Sequence, residues 1–595
     1  MTWSQVQPSA KSGTRFTRVP CSFPATSFSR SKNLKISMHS TTSTAIPSKP
    51  RLRLNSAFCW LLASCIIAAL AMLPVLALLS EAIKGSTGLW QHLTDTVLAT
   101  ALPETLILLL GVGLLAGILG TTSAWLVSAY RFPGRRLLEW ALLLPLAMPT
   151  YIIAYAYLDI LHPLGPVQGA VRFLLGYSSP REFRLPDIRS MTGCIILLGF
   201  VLYPYVYIPV RAMFLTQAGN LLDAARMLGT SRHALFLKVA VPLARPAIAV
   251  GVSLALMEAL NDIGASEFLG VRTLTVSIYT TWVTKSDLPG ASQIALFMLL
   301  LVVALVAMER WARRRQRYST SAQKSAVLAP LQLQGLRGWL AFGLGTVPIL
   351  IGFAAPAAYL VVEAWKRFQF SGLSSRFADE AVNTIVVAGI ATVVTVGAGL
   401  VVAYAMRLSP GKVSLWSFRL ATVGYAAPGT VIAIGVLIVL GGFDRVVDQT
   451  MQQWFGVSTS LLLIGSGSAL IFAYVTRFLT IAGGGIDAGL SRIPLSFDQA
   501  SRTLGRTATA TFRSVHLPLS KAAMAAAALL VFVDCVKELP ATLLLRPLNF
   551  ETFATHLYGE AARGTYEEAS IAALAIVLIG ILPVVLLARV GRVRT

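Results

Sequence analysis

The chain has 595 residues, of which 55% are hydrophobic and only 13% charged, and its mean hydropathy is +0.69. A water-soluble domain carries about a quarter charged residues, so the composition excludes a soluble enzyme or binding module and indicates a polytopic membrane protein. The net charge of +24 sits mainly in short loops between apolar runs, as orientation in a bilayer requires; no nucleic-acid-binding signature accompanies it, and nucleic acid is not an expected partner.

In chain order, residues 1–54 come first: nine basic residues, no acidic one and many Ser and Thr. They read as a disordered basic tail held on the cytoplasmic side; a transit peptide shares this composition, and Met38 is an alternative start. Runs long enough to cross about 30 Å of hydrocarbon then predict about twelve helices. Six lie near 57–80, 104–129, 138–160, 192–215, 245–266 and 290–309, and six near 338–362, 381–406, 415–441, 459–483, 520–541 and 568–589. The fold class is therefore an all-α polytopic membrane protein, with a first transmembrane domain over 55–309, a basic cytoplasmic linker over 310–336 and a second domain over 337–595. With both termini cytoplasmic, Arg131, Arg135, Arg136, Arg226, Arg232, Lys238 and the linker arginines Arg310 to Arg317 all fall inside, satisfying the positive-inside rule. Pro149 and Pro428 fall mid-span and predict bends; Tyr203, Tyr205 and Tyr207 read as packing or interfacial residues. The five cysteines and six histidines are scattered, so neither a disulfide framework nor a metal site is expected.

Two loops break the apolar pattern in the same way. Aligning Gly229 with Gly505 matches ten of the twenty-five residues over 223–247 with their counterparts, including Ala224 with Ala500, Phe236 with Phe512 and Pro242 with Pro518. Each loop reads as a short helix, carrying Asp223-Ala224-Ala225 in the first and Gln499-Ala500-Ser501 in the second. A left-handed glycine ends it, Thr230 or Thr507 caps a second helix, and Pro242 or Pro518 stops that helix. Such an amphipathic segment suits a groove on a partner protein. The register continues into the next span, where Glu258 meets Asp534 and Asp262 meets Glu538. Upstream, AMPTYIIA from Ala147 echoes AAPGTVIA from Ala426. The chain is two similar six-helix halves.

The acidic-Ala-Ala, three-residue gap, Gly pattern resembles the EAA loop of ATP-binding-cassette importer permeases. That resemblance implies a type I importer permease fold in a bacterial inner membrane. It implies that Asp223, Ala224, Ala225, Gly229 and Pro242, with Gln499, Ala500, Ser501, Gly505 and Pro518, form loops that dock on a separate ATPase. In the second loop Gln499 replaces the acid and Ser501 the second Ala. The chain has no G-x-x-x-x-G-K-[ST] phosphate loop, so ATP is expected to be used by partner ATPase subunits, two by family analogy. The chain itself carries no catalytic residue and no cofactor. An extracytoplasmic solute-binding protein completes the implied assembly.

The fused double permease resembles ferric-iron importers, through VKELPATLLLRPLNFETFATHLYGEA from Val536 and MEALNDIGASEFLGVRTLTVSIYTTW from Met257; thiamine and aminoethylphosphonate importers share the arrangement. Glu258 with Asp262, and Asp534 with Glu538, each lie four apart on one helical face. Ionisable groups in a span are costly and face a cavity or a partner. The four carboxylates are candidate pathway residues for a hard cation such as Fe(III); the alternative is that they pair with Lys537, Arg272 or Arg546. A rival class is a secondary transporter of the major facilitator kind. YRFPGRRLLEW from Tyr130 is faintly similar to that class, although the expected Asp is missing.

Overall fold

The computed structural model describes residues 56–84, 91, 93–216, 225–314, 330–565 and 567–590. The tail over 1–54, Asp223, Ala224 and most of the 310–336 linker lie outside them. In the first half the helices are α1 (Ser56–Lys84), α2 (Ala99–Ala129), α3 (Arg135–Ala141), α4 (Thr150–Ile160), α5 (Pro166–Leu175), α6 (Met191–Thr216), α7 (Arg232–Asn261), α8 (Gly264–Phe268), α9 (Leu274–Tyr279) and α10 (Leu288–Arg314). The second half contains α11 (Leu336–Ser371), α12 (Ser375–Leu408), α13 (Lys412–Ala421), α14 (Gly429–Phe455), α15 (Ser468–Leu490), α16 (Leu495–Thr503), α17 (Ala508–Val536), α18 (Pro540–Leu545), α19 (Phe553–Arg563) and α20 (Ser570–Val590). Ten of the described helices are long and apolar enough to cross a bilayer, or eleven crossings if the bent pair Arg135–Ala147 and Thr150–Ile160 counts as one. The expected twelfth rests on α20, whose apolar stretch Ser570–Leu586 falls short of that length.

The breaks have local causes. The third and ninth spans do not run through: each stops before Pro149 or Pro428, which sit at φ −58, ψ 147 and φ −57, ψ 150. Proline supplies no N–H and crowds the preceding turn. The residues before it, Met148 and Ala427, are correspondingly extended, as X-Pro sterics require. The first of these pairs bends by 93°. The fifth and eleventh spans also end earlier than their apolar runs, at Asn261 and Val536, and give way to the short helices α8 and α18.

The sequence halves do not pack as closed halves. Helix α1 lies against α12, α13 and α14, while α11 lies against α3, α4 and α6. Glycines permit these crossings, since a Cβ on Gly435 would strike the Pro74 backbone of α1, and one on Gly352 of α11 the Phe200 backbone of α6. Small residues at helix contacts are what membrane packing uses. One pair of strands occurs among the described residues: β1 (Tyr130–Arg131) runs parallel to β2 (Leu331–Gln332), tying the end of the linker to the loop after α2. The C-terminal parts of α1 and α11 repeat a further signature that the sequence reading missed, an i,i+3 pair of Glu81 with Lys84 and of Glu363 with Lys366.

Candidate functional site

Six crossings, α7, α10, α11, α12, α14 and α15, separate the two loops; an even number puts both on one face of the bundle. Their backbones match bond for bond. Gly229 (φ 76) and Gly505 (φ 71) are left-handed. Gly229 N–H donates to Arg226 O at 3.0 Å and Thr230 N–H to Ala225 O at 3.2 Å; Gly505 N–H donates to Arg502 O at 2.9 Å and Arg506 N–H to Ser501 O at 3.1 Å. This is the double bond of a Schellman C-cap. Among the described residues nothing lies within 4 Å of a Cβ built on either glycine, and Met227, Leu228 and Leu504 are exposed at 91%, 86% and 78%. Each tip thus offers apolar side chains that no other described residue covers.

Two details correct the sequence reading. In the first loop the cap is Ser231, whose hydroxyl accepts the Ala234 N–H at 3.4 Å, and not Thr230; Thr507 caps the second as expected, accepting from Ala510 N–H at 3.3 Å. Ser231 and Thr507 are the pair that the Gly229–Gly505 register predicts. Pro242 and Pro518 do not stop their helices. A π-helical segment, Leu235–Ala240 or Phe512–His516, precedes each proline and the chain continues as one long helix. Widening the turn to i→i+5 bonding accommodates the missing N–H without a break.

Asp223 and Ala224 lie outside the described residues, and Ala225 begins the described part of the first loop half-buried. Gln499 and Ala500 are exposed on α16, while Ser501 faces inward and its hydroxyl meets Thr511 Oγ1 at 2.6 Å. Sequence reasoning passed over Asp498, the buried acid of this loop. It is buried beneath α16, 2.5 Å from Arg407 Nη2 and 3.1 Å from His516 Nε2. Arg407 also donates to Leu490 O at 2.5 Å and Ile493 O at 2.9 Å. The register places Leu222 and Ala240 opposite Asp498 and His516, so the first half cannot build this network. Aromatic boxes seat both loops: Phe512 lies 5.3 Å from Trp60 and 4.9 Å from Tyr404, and Phe236 lies 5.5 Å from Trp125.

At the ends of α7 and α17 the four predicted carboxylates come together. Glu258, Asp262, Asp534 and Glu538 line one cavity of about 100 Å³, with Thr150, Tyr205, Asn261, Tyr425, Arg477 and Lys537. Asp262 accepts from Thr150 Oγ1 at 2.5 Å, Ser266 N–H at 2.8 Å and Ser266 Oγ at 3.1 Å, and so caps α8. Glu538 takes the same role for α18, accepting the Ala541 N–H at 3.0 Å. Where the first half has Thr150 the second has Gly429, and Arg477 supplies the missing donor, with Nη1 3.1 Å from Glu538 Oε1. A Cβ on Gly429 would collide with that ion pair. The same Nη1 reaches Asn261 Oδ1 of the first half at 2.9 Å, and Asn261 Oδ1 also accepts the Gly429 N–H at 2.7 Å. Asn261 is therefore a three-way junction between the halves. Glu258 accepts the Tyr425 hydroxyl at 2.8 Å, and Asp534 pairs with Lys537 at 2.7 Å.

Of the cations weighed as partners, only Lys537 pairs with one of these acids. Arg546 pairs with Glu551, and the backbone N–H of Arg272 donates to Glu104 at 2.7 Å. Among the described residues no three His, Cys, Asp or Glu side chains are gathered closely enough to hold a metal ion. Tyr203 and Tyr207 are packed in the core, but Tyr205 lines the cavity.

Residues 110–318 and again 395–592 match the family described as "Binding-protein-dependent transport system inner membrane component". The chain belongs to this family. It is accordingly a non-catalytic subunit of an ATP-binding-cassette importer, multi-pass in the inner membrane and built from two copies of the permease domain. The match sets aside the secondary-transporter reading. The chain is 25% identical over 495 residues to "Fe(3+)-transport system permease protein FbpB 2" of Haemophilus influenzae, covering 82% of this chain and 90% of that one. It is 28% identical over 276 residues to "Putative 2-aminoethylphosphonate transport system permease protein PhnU" of Salmonella choleraesuis, covering 45% of this chain and 96% of that one. It is 27% identical over 242 residues to "Sulfate transport system permease protein CysT" of Escherichia coli, covering 40% of this chain and 84% of that one.

Proposed function

We propose that this permease moves ferric iron from an extracytoplasmic binding protein into the cytoplasm, driven by two ATPase subunits that dock on the Gly229 and Gly505 loops. The observation that carries the docking assignment is the pair of bond-for-bond equivalent, uncovered glycine-capped tips on one face. The basic loops support placing that face and both termini in the cytoplasm. The division is 55–309 and 337–595 around the linker, with α20 as the twelfth span. Asp223, Ala224, Ala225 and Pro242, with Gln499, Ala500, Ser501 and Pro518, frame the two docking loops. ATP binding draws the docked loops together, and the two halves rock about their shared interface. Nucleotide state and pathway orientation thereby bias one two-state equilibrium.

The pathway runs through the central cavity. Its four carboxylates, Glu258, Asp262, Asp534 and Glu538, outnumber its two cations, Arg477 and Lys537, a balance that favours a hard cation in transit. The similarity to the Fe(3+) permease over most of both chains supports the iron reading. A second reading, aminoethylphosphonate, has the similarity to PhnU in its favour. ATP-dependent uptake into proteoliposomes holding the permease, its ATPase and its binding protein separates them. Iron accumulation that stops when the binding protein is left out supports the proposal; uptake of the phosphonate with no iron movement overturns it.

A further inference from the structure

Helix α5 is built inside out for a water-facing loop. It stands in the connection between α4 and α6, on the face opposite the glycine loops, since α6 crosses between them. Its inward residues are polar. Gln168 and Arg172, one turn apart, are buried; Gln168 donates to Leu161 O at 2.7 Å and accepts the Leu185 N–H at 3.1 Å. Its outward stripe is wholly apolar, with Val167, Ala170, Phe173 and Leu174 at helical spacing; Phe173 is 86% and Leu174 80% exposed. Pro166 opens the helix and left-handed Gly176 (φ 79) closes it, so the stripe is presented by a well-ended helix and not by a loose run.

The depth of α5 is set by its neighbour. Just before it, Asp159 accepts the Tyr359 hydroxyl of α11 at 2.7 Å. Tyr359 precedes Trp365 and the Glu363–Lys366 pair, the charged and aromatic residues at which a span leaves hydrocarbon. At 1.5 Å per residue that edge is about 10 Å beyond Tyr359, so Tyr359 and Asp159 lie on its hydrocarbon side, and α5, which follows Asp159 in the chain, lies within reach of the interface. Exposed Arg181 and Arg184 follow it. Glu182 accepts the Ser178 N–H at 2.9 Å, and Arg184 lies 3.9 Å from Asp187, with both side chains more than half exposed.

We propose that α5 is an interfacial anchor. Its Val167–Ala170–Phe173–Leu174 stripe is sunk into the acyl-chain boundary of the leaflet opposite the ATPase-docking face, with Arg181 and Arg184 among the lipid phosphates. An amphipathic helix with basic neighbours lies in this way at a bilayer surface. A protein partner is the weaker match, because the stripe offers no polar group for an interface rim. Anchored there, α5 fixes the outer end of the bent α3–α4 pair, which lines the central cavity at Pro149 and Thr150.

The test places an environment-sensitive fluorophore on Leu174→Cys, and separately on Arg184→Cys, with the native cysteines replaced. The full chain is reconstituted in vesicles of phosphatidylethanolamine and phosphatidylglycerol. Shallow spin-labelled lipid is expected to quench the probe at 174 several-fold more than the probe at 184, and aqueous iodide the reverse. Phe173→Cys provides the same readout should Leu174→Cys fail to assemble. Equal iodide access at both positions overturns the proposal. So does a 174 probe that lipid quencher ignores and that added binding protein shields, which would make the stripe a protein-docking face.

Discussion

Replacing Asp498 by Asn is expected to loosen the second of the proposed docking loops without altering its exposed surface. Burial opposes the Asp498 charge, but the hydrogen bond from Arg407 and the nearby His516 outweigh it and hold the carboxyl below the usual carboxylate range. A depressed carboxylate contributes stability above its unfolded value and loses it only as pH falls through the lower folded one, so at neutral pH the contribution is complete and the Asn variant removes it. Breaking a buried pair costs roughly 3–5 kcal/mol when the remaining charge is stranded. Arg407 is not stranded: it keeps the Leu490 and Ile493 carbonyls at 2.5 and 2.9 Å. The loss reduces to about 1.5–3 kcal/mol, the range for a hydrogen bond to a charged group. Were it all spent on holding α16 in its docking position, about 2 kcal/mol would weaken ATPase association roughly thirtyfold. Titration of the solubilised permease with its ATPase measures this directly, with Arg376→Gln, exposed at the start of α12 on the opposite face, as the control. An Asp498→Asn permease that binds ATPase and transports like the wild type would refute the reasoning.

Other outcomes follow from the same geometry. Asn261→Ala removes the acceptor shared by Arg477 and Gly429; it is expected to raise ATP hydrolysis without bound substrate and to lower substrate moved per ATP, read by paired hydrolysis and uptake assays. Gly229→Ala and Gly505→Ala meet no steric obstacle, so each should cost only the left-handed backbone penalty of about 1 kcal/mol, a less than tenfold loss of ATPase affinity in the same titration. In α19, the hydrogen bond to Glu380 raises the His556 pKa against the effect of burial, with Glu560 and Glu551 adding to it. Its stabilisation is present below the unfolded value of about 6.5 and is lost as pH rises through the higher folded value. The thermal-stability gap between wild type and His556→Gln should therefore be widest in mildly acidic solution and close on the alkaline side.

The long spans were legible because an apolar run of bilayer length has few other uses, and the repeat was legible because Gly-to-Pro spacing survived in both copies. What escaped depended on partners distant in the chain. Arg477 reads as one odd charge in an apolar run until Asn261, from the other half, arrives beside it. Asp498 stands next to the motif position and pairs with a residue of another span. The early ends of α7 and α17 were hidden because hydropathy continues through α8 and α18; Asp262 and Glu538 mark those ends as side-chain caps, a signal the spacing contained but charge alone did not decode. Two prolines misled in the other direction. Pro149 and Pro428 interrupt their spans, in line with the expected bends, whereas Pro242 and Pro518, read as stops, are absorbed by a π turn, a choice made by the preceding backbone and not by the residue.

The central claim is that two equivalent glycine-capped loops hold ATPase subunits on one face of the membrane. Cysteines placed singly at Met227 and Leu504 in a cysteine-free permease, co-expressed with its ATPase and treated with a thiol cross-linker in inside-out vesicles, test it most directly. Both positions are expected to cross-link to the ATPase, with yields that change when ATP is bound. Cross-linking at neither position, or reactivity of the two cysteines from opposite sides of the membrane, would contradict the account.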